Sequence, residues 1–283
     1  MLFEEVYEEY KIYAQNRHKK QGFDTINKNF NLHILPYFKN NYLSSLTKLD
    51  LINWQNEILS KNFSNNFNRN LYYELSAFFR YCMYCDYLKE NLVLQIPKFK
   101  KKIEKKEHHV YTLKEFRKFR KYLDDYIIKQ YFNFMYFYGT RPSEAMALRF
   151  SDLEKNFIHI NHSIHRKGKR ELDTPKNQSS IRTLKLNSLE RFRICRLKRM
   201  YFKKYYDRNF DYFIFGGKKP LSPTTIDRYK LKACRKANMN PITQHEFRHS
   251  YATRMIHKKT PVDIVSHSMG HSTVSMTVDV YLH

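Results

Sequence analysis

The stretch HEFRHSYAT sets two histidines and an arginine within five residues. His245 and Arg248 are three apart, so on a helix they share a face. The same letters fit the zinc-protease arrangement His-Glu-x-x-His, with His245 and His249 as ligands and Glu246 as base. Against zinc, no third ligand is evident and Arg248 would bring positive charge beside the metal. Glu246 is moreover accounted for as the far end of a capping box opened by Thr243. No metal and no other cofactor is expected. A second cluster is GTRPSEAMALRFSDL, where Arg141 follows a Gly-Thr turn and Glu144 lies beside it on the next helical turn. Taken alone, this is equally a helix-start arginine paired with a surface glutamate. A third is TPKNQSSIRTLKL, where Lys176 sits at or near a hairpin tip. A solvated turn lysine explains it, but a hairpin is also a way to deliver a proton donor to a substrate. The last is MGHSTVSMTVDVYLH, with His271 after a glycine and Tyr281 two residues before the final His283. By position Tyr281 is either a fraying surface residue or a residue placed to do chemistry.

These residues need elements to hold them. Residues 1–95 read as four short helices. Phe3, Val6, Tyr7, Tyr10 and Tyr13 recur at helical spacing in the first. Thr25 is expected to cap a second, with Ile26, Phe30 and Ile34, ending near Pro36. Thr47 caps a third with Leu51, Trp54, Ile58 and Leu59 on one side, and a fourth runs from about Asn66 through Leu71, Leu75, Phe78, Phe79 and Cys82. The CMYC pair Cys82 and Cys85 lies in an apolar run without a second ligand pair, so buried cysteines are expected. Residues 96–110, including PKFKKKIEKKEHH, read as a basic linker. From residue 111 to 283 a second domain opens on a Thr112–Glu115 capping box, and helices follow to about Phe150. The period then changes: residues 157–165 and Ile181–Leu186 alternate as strands of a small antiparallel sheet. Helices return after Asn187, with Ser222-Pro223 and Thr260-Pro261 as cap-then-proline starts.

The composition points outward. Lys+Arg number 52 against 27 Asp+Glu, a net charge of +25, which implies a polyanionic partner. Nucleic acid is favoured, because neutralising phosphates releases condensed counterions. A membrane surface fits less well, because the charge is spread over the chain rather than gathered on one amphipathic helix. No apolar run is long enough to span a membrane and no signal pattern opens the chain, so a cytoplasmic location is expected. Four cysteines in 283 residues do not suggest a disulfide framework. The many Tyr, Phe, Lys and Asn residues reflect an AT-rich genome in part and are not by themselves a base-stacking surface.

Taken in order, Arg141 with Glu144, Lys176, His245, Arg248, His271 and Tyr281 resemble the motif boxes of the tyrosine recombinase, or phage integrase, family. The resemblance covers residues 111–283 strongly; residues 1–95 are similar in layout to that family's helical core-binding (SAM-like) domain. It implies a mainly α fold with a small antiparallel β-sheet in the catalytic domain, forming a two-domain DNA clamp. It implies cleavage and rejoining of DNA strands without metal or ATP, through a covalent 3′-phosphotyrosine. In that scheme Arg141 and Arg248 hold the non-bridging oxygens of the phosphodiester. His245 and His271 add hydrogen bonds or accept the tyrosine proton, Tyr281 attacks phosphorus, Lys176 protonates the leaving 5′ oxygen, and Glu144 orients the basic site. The partners implied are double-stranded DNA carrying specific recombination sites and a homo-tetramer on that DNA, with a monomer when free.

The expected function is site-specific recombination for a mobile element such as a phage or transposon. Two other readings stay open at this point: type IB topoisomerase-like strand relaxation, and a binding-only DNA module. The chain opens directly on the core-binding-like helices and only Leu282 and His283 follow Tyr281, so a simple recombinase and a piece of a longer one are both consistent with the sequence.

Overall fold

The computed structural model describes residues 1–100, 109–164, 172–173, 178–275 and 277–278. The chain divides into two compact units, Met1–Lys105 and Lys106–His283. Among the described residues no helix is long and apolar enough to cross a membrane.

The first unit is helical. It comprises α1 (Phe3–Arg17), α2 (Lys20–Asn29), a π-helical turn Phe30–Ile34, α3 (Leu35–Phe38), α4 (Lys48–Ser60) and α5 (Asn65–Tyr84). The apolar spacing read from the sequence is the spacing that packs: Phe3, Val6, Tyr7, Tyr10, Leu51, Trp54, Ile58, Leu71, Leu75, Phe78, Phe79 and Cys82 form one buried core. Aromatic rings make much of it; Tyr7 stacks on Phe30 with ring centroids 4.5 Å apart. Trp54 is fully buried and donates its indole N–H to the His33 carbonyl at 2.9 Å. Thr47 caps α4 in a reciprocal box with Asp50, as its sequence suggests.

Three local expectations fail. Thr25 does not start a helix: it lies inside α2, where its hydroxyl donates to the Gln21 carbonyl at 2.8 Å. The chain does not stop at Pro36 either, because the π-turn widens the helix ahead of it and Pro36 enters the first turn of α3, where a missing N–H costs nothing. Leu59 is half exposed, one step off the stripe of Leu51, Trp54 and Ile58. Ile96 and Phe99, within the expected linker, are buried against the first unit's core. Residues 101–108 of that linker lie outside the described residues.

The second unit carries α6 (Leu113–Lys121), α7 (Tyr126–Tyr138), α8 (Pro142–Ala147), α9 (Ser188–Tyr205), α10 (Pro223–Ala237), α11 (Gln244–His257) and α12 (Val262–Met269). Among the described residues between α8 and α9 lie five short strands: β1 (Leu153–Glu154), β2 (Phe157–Ile160), β3 (Ser163–Ile164), β4 (Leu172–Asp173) and β5 (Arg182–Lys185). They make an antiparallel sheet in the order β1-β2-β5 and a separate antiparallel pair β3-β4. In β5, Arg182 and Leu184 face inward, while Thr183 and Lys185 face out. The fold is thus mainly α with small antiparallel sheets, as expected. The caps at Thr112, Ser222 and Thr243 form as expected, whereas α12 starts one residue later than Thr260 suggests, with Pro261 at its N-cap.

Candidate active site

The site lies in the second unit, where loops and helix ends meet. Gly139 closes α7 in the left-handed conformation, φ +63°, and aims the chain into α8. Arg141 is the N-cap of α8, so its backbone N–H and side chain both point at the first helical turn. Its N–H donates to Glu144 Oε2 at 2.9 Å and its Nη1 to Glu144 Oε1 at 2.7 Å. Nη1 also reaches Ser180 Oγ at 3.0 Å, and Nη2 donates to the Gly270 carbonyl at 2.8 Å. The Arg141 side chain keeps 28% of its surface exposed, while Glu144 keeps 2%. The sequence pair Arg141/Glu144 is therefore not a surface pair.

Glu144 has a second guanidinium partner that sequence reasoning missed. Arg182 Nη2 donates to Glu144 Oε2 at 2.8 Å, and its side chain has no exposed surface. Burial alone would push the Glu144 carboxyl up, but Arg182 first, then Arg141 and Arg248, hold it below the usual carboxylate range.

Arg248 enters from α11. Its side chain is buried, and Nη1 donates to the Gly139 carbonyl at 2.8 Å. The capping box of Thr243 and Glu246 fixes the start of α11, so Glu246 is spent on the helix end. His245 sits in the first turn of α11 with its side chain exposed, three residues before Arg248. Among the described residues no three His, Cys, Asp or Glu side chains gather as metal ligands. Cys82 is buried, Cys85 is partly so, and neither forms a disulfide.

His271 follows the left-handed Gly270, φ +68°, at the end of α12. Its Nδ1 lies 2.7 Å from the hydroxyl of Thr277, which is fully buried. Burial, then the charges of Arg248, Arg141, His249 and Arg182, push the His271 imidazole down to about 4. It is therefore neutral at neutral pH. Tyr251 backs the pocket: its ring packs on Gly139 and its hydroxyl pairs with Ser268 Oγ at 2.9 Å.

Arg141, Glu144, Arg248 and His271, four of the sequence candidates, thus gather in one mainly positive cluster, whereas His245 stands exposed at the start of α11. Lys176 and Tyr281 lie outside the described residues. Residues 109–283 match the model of the phage integrase family, and residues 2–59 match that of the phage integrase N-terminal SAM-like domain. The ICEBs1 integrase of Bacillus subtilis (strain 168) is 26% identical over 269 residues, covering 89% of this chain and 71% of its own. The Tn1549 transposon integrase, solved in complex with transposon right end DNA, superposes with a TM-score of 0.78 at 19% identity, covering 100% of this chain and 95% of that one. A lambda integrase tetramer bound to a Holliday junction gives a TM-score of 0.74 at 15% identity, covering 97% and 79%. The chain belongs to the phage integrase family of tyrosine-type site-specific recombinases.

Proposed function

We propose that this chain cuts and rejoins duplex DNA at specific sites on behalf of a mobile element, using Tyr281 as nucleophile. A phosphodiester is an anion that repels nucleophiles, so cleavage needs cations that strengthen their hold as charge builds on the equatorial oxygens. Arg141 and Arg248 fill that role: one fork is part-exposed, the other is anchored on the Gly139 carbonyl. His271, held neutral, and His245 contact the same oxygens or take the tyrosine proton, which a phenol with an ordinary pKa near 10 needs to lose. The Tyr281 oxygen bonds to phosphorus as the P–O5′ bond breaks, and Lys176 gives its proton to the leaving 5′ oxygen. The phosphotyrosine conserves the bond energy, so rejoining needs no ATP. The finer reading includes a clamp of the two units around DNA and four protomers per recombining pair of sites. The ICEBs1 and Tn1549 relatives support the mobile-element role, and the tetrameric lambda integrase supports the assembly.

The observation that carries this reading is the gathering of Arg141, Glu144, Arg248 and His271 in one cluster, from segments scattered over 130 residues of sequence. The test is a nicked suicide substrate carrying the element's end. Wild type should form a covalent protein–DNA adduct at the 3′ phosphate, and Tyr281→Phe should bind the DNA but form none. Binding without any adduct in the wild type would make the chain a binding-only module. Relaxation of supercoiled plasmid lacking the site would instead favour a topoisomerase.

A further inference from the structure

We infer that Arg182 is a positioning residue for strand cleavage: by sharing the Glu144 carboxylate it leaves the positive charge of Arg141 uncancelled toward the DNA phosphate, and it locks the turn that carries His271. The inference rests on the proposed cleavage activity. Every arm of the Arg182 guanidinium is turned inward. Nη2 binds Glu144 Oε2 at 2.8 Å, Nη1 donates to the Ser180 carbonyl at 2.9 Å, and Nε donates to the Ser268 carbonyl at 2.7 Å. With no exposed side-chain surface, it cannot touch a phosphate itself.

Its partners explain its effect. A buried carboxylate facing one arginine would neutralise that arginine. Here Glu144 stands between two, so the three groups carry a net positive charge that only Arg141 brings to the surface. The second effect is geometric. Ser180 also receives Arg141 through its hydroxyl, and Ser268 lies just before Gly270, whose carbonyl binds Arg141 Nη2. A methyl group added at Gly270 would stand 2.8 Å from Arg182 Nη1, which shows how closely that turn wraps the guanidinium. Arg182 thus joins α8, β5 and the end of α12 at one point. Being the first residue of β5, it also holds the chain that leads from Ser180 into that strand.

The experiment compares Arg182→Met, Arg182→Lys, Glu144→Gln and the Arg182→Met/Glu144→Gln pair. Each is assayed for adduct formation on the suicide substrate, DNA affinity, and titration of the Glu144 carboxyl in 13C-glutamate-labelled protein. Arg182→Met should slow cleavage by about 100-fold while DNA affinity changes less than about threefold. Because Arg182 acts through Glu144, the pair should be no slower than Arg182→Met alone. Arg182→Lys, which keeps the charge but loses the fork, should lie between, and it stands in if the methionine variant does not fold. Loss of rate and affinity in equal measure, independent multiplying effects in the pair, or a wild-type rate for Arg182→Lys would overturn the inference. A wild type that forms no adduct refutes the cleavage reading instead. The carboxyl titration then decides on Arg182: its substitution must raise the Glu144 pKa, and an unmoved titration overturns the coupling.

Discussion

Gly139→Ala should cost more than any surface substitution in the second unit. At φ +63° a residue with a Cβ sits in the left-handed region, at about 1–2 kcal/mol for alanine. The added methyl would stand 2.3 Å from Tyr251 Cδ1 and 2.8 Å from Cγ, inside the root of the ring rather than at a flexible tip. Tyr251 cannot swing away freely, because it is buried and its hydroxyl is held by Ser268. Overpacking of this kind adds about 1–3 kcal/mol. The sum, about 2–5 kcal/mol, corresponds to a fall in Tm of about 4–20 °C for a unit of this size. Differential scanning calorimetry gives the number, and Gly139→Asn separates the two causes. Asparagine tolerates the left-handed conformation, so it should lose about 1 kcal/mol less than alanine while keeping the clash. Arg248 should suffer too, since the Gly139 carbonyl is its acceptor, so cleavage should fall further than stability alone explains. A Gly139→Ala protein melting within a degree of wild type would refute both the turn and the Tyr251 contact.

Three further outcomes are expected. The folded pKa of His271, about 4, lies below the ordinary 6.5, so the unfolded chain binds more protons between those values. His271 stabilisation is then complete above pH 6.5 and lost as pH falls toward 4, at up to about 1.4 kcal/mol per pH unit, and His271→Gln should flatten urea midpoints over that range. Binding of duplex DNA should weaken by about 10³-fold or more between about 50 and about 200 mM salt, and a nearly flat response in a filter-binding titration would sink the clamp. Cys82 is buried with its thiol pushed up to about 12, chiefly by burial, so it should resist alkylation in the folded protein and react once denatured; prompt native labelling would contradict its burial.

Much of this was legible because local rules and tertiary needs coincide. Thr47, Thr112 and Thr243 each accept the N–H three residues on, whose acidic side chain takes the Thr N–H in return, and such a pair is visible in any sequence. Arg141 with Glu144 and His245 with Arg248 were legible for the same reason: helical spacing places them. The burial of Glu144 and Arg248 was not, since residues at the same spacing on a surface have the same letters. Arg182 was missed because its partners, Glu144 and Ser268, lie 38 and 86 residues away. The one local signal was phase: Arg182 alternates with Leu184, so it falls on the inward face of β5, where an unpaired charge cannot stay. Thr25 misled because a hydroxyl that caps a helix start can equally bond back to the Gln21 carbonyl inside one.

The contact between Arg141 and the Gly270 carbonyl spans 129 residues. A ribosome adding about 5–20 residues each second needs about 6–26 s to make that stretch. During that interval Nη2 of Arg141 lacks its Gly270 acceptor, and His271 has yet to be made. The first unit, which has its own buried core, can begin to fold well before then. Arg141, set at the start of α8, is therefore not fully anchored until the chain has been made through the end of α12.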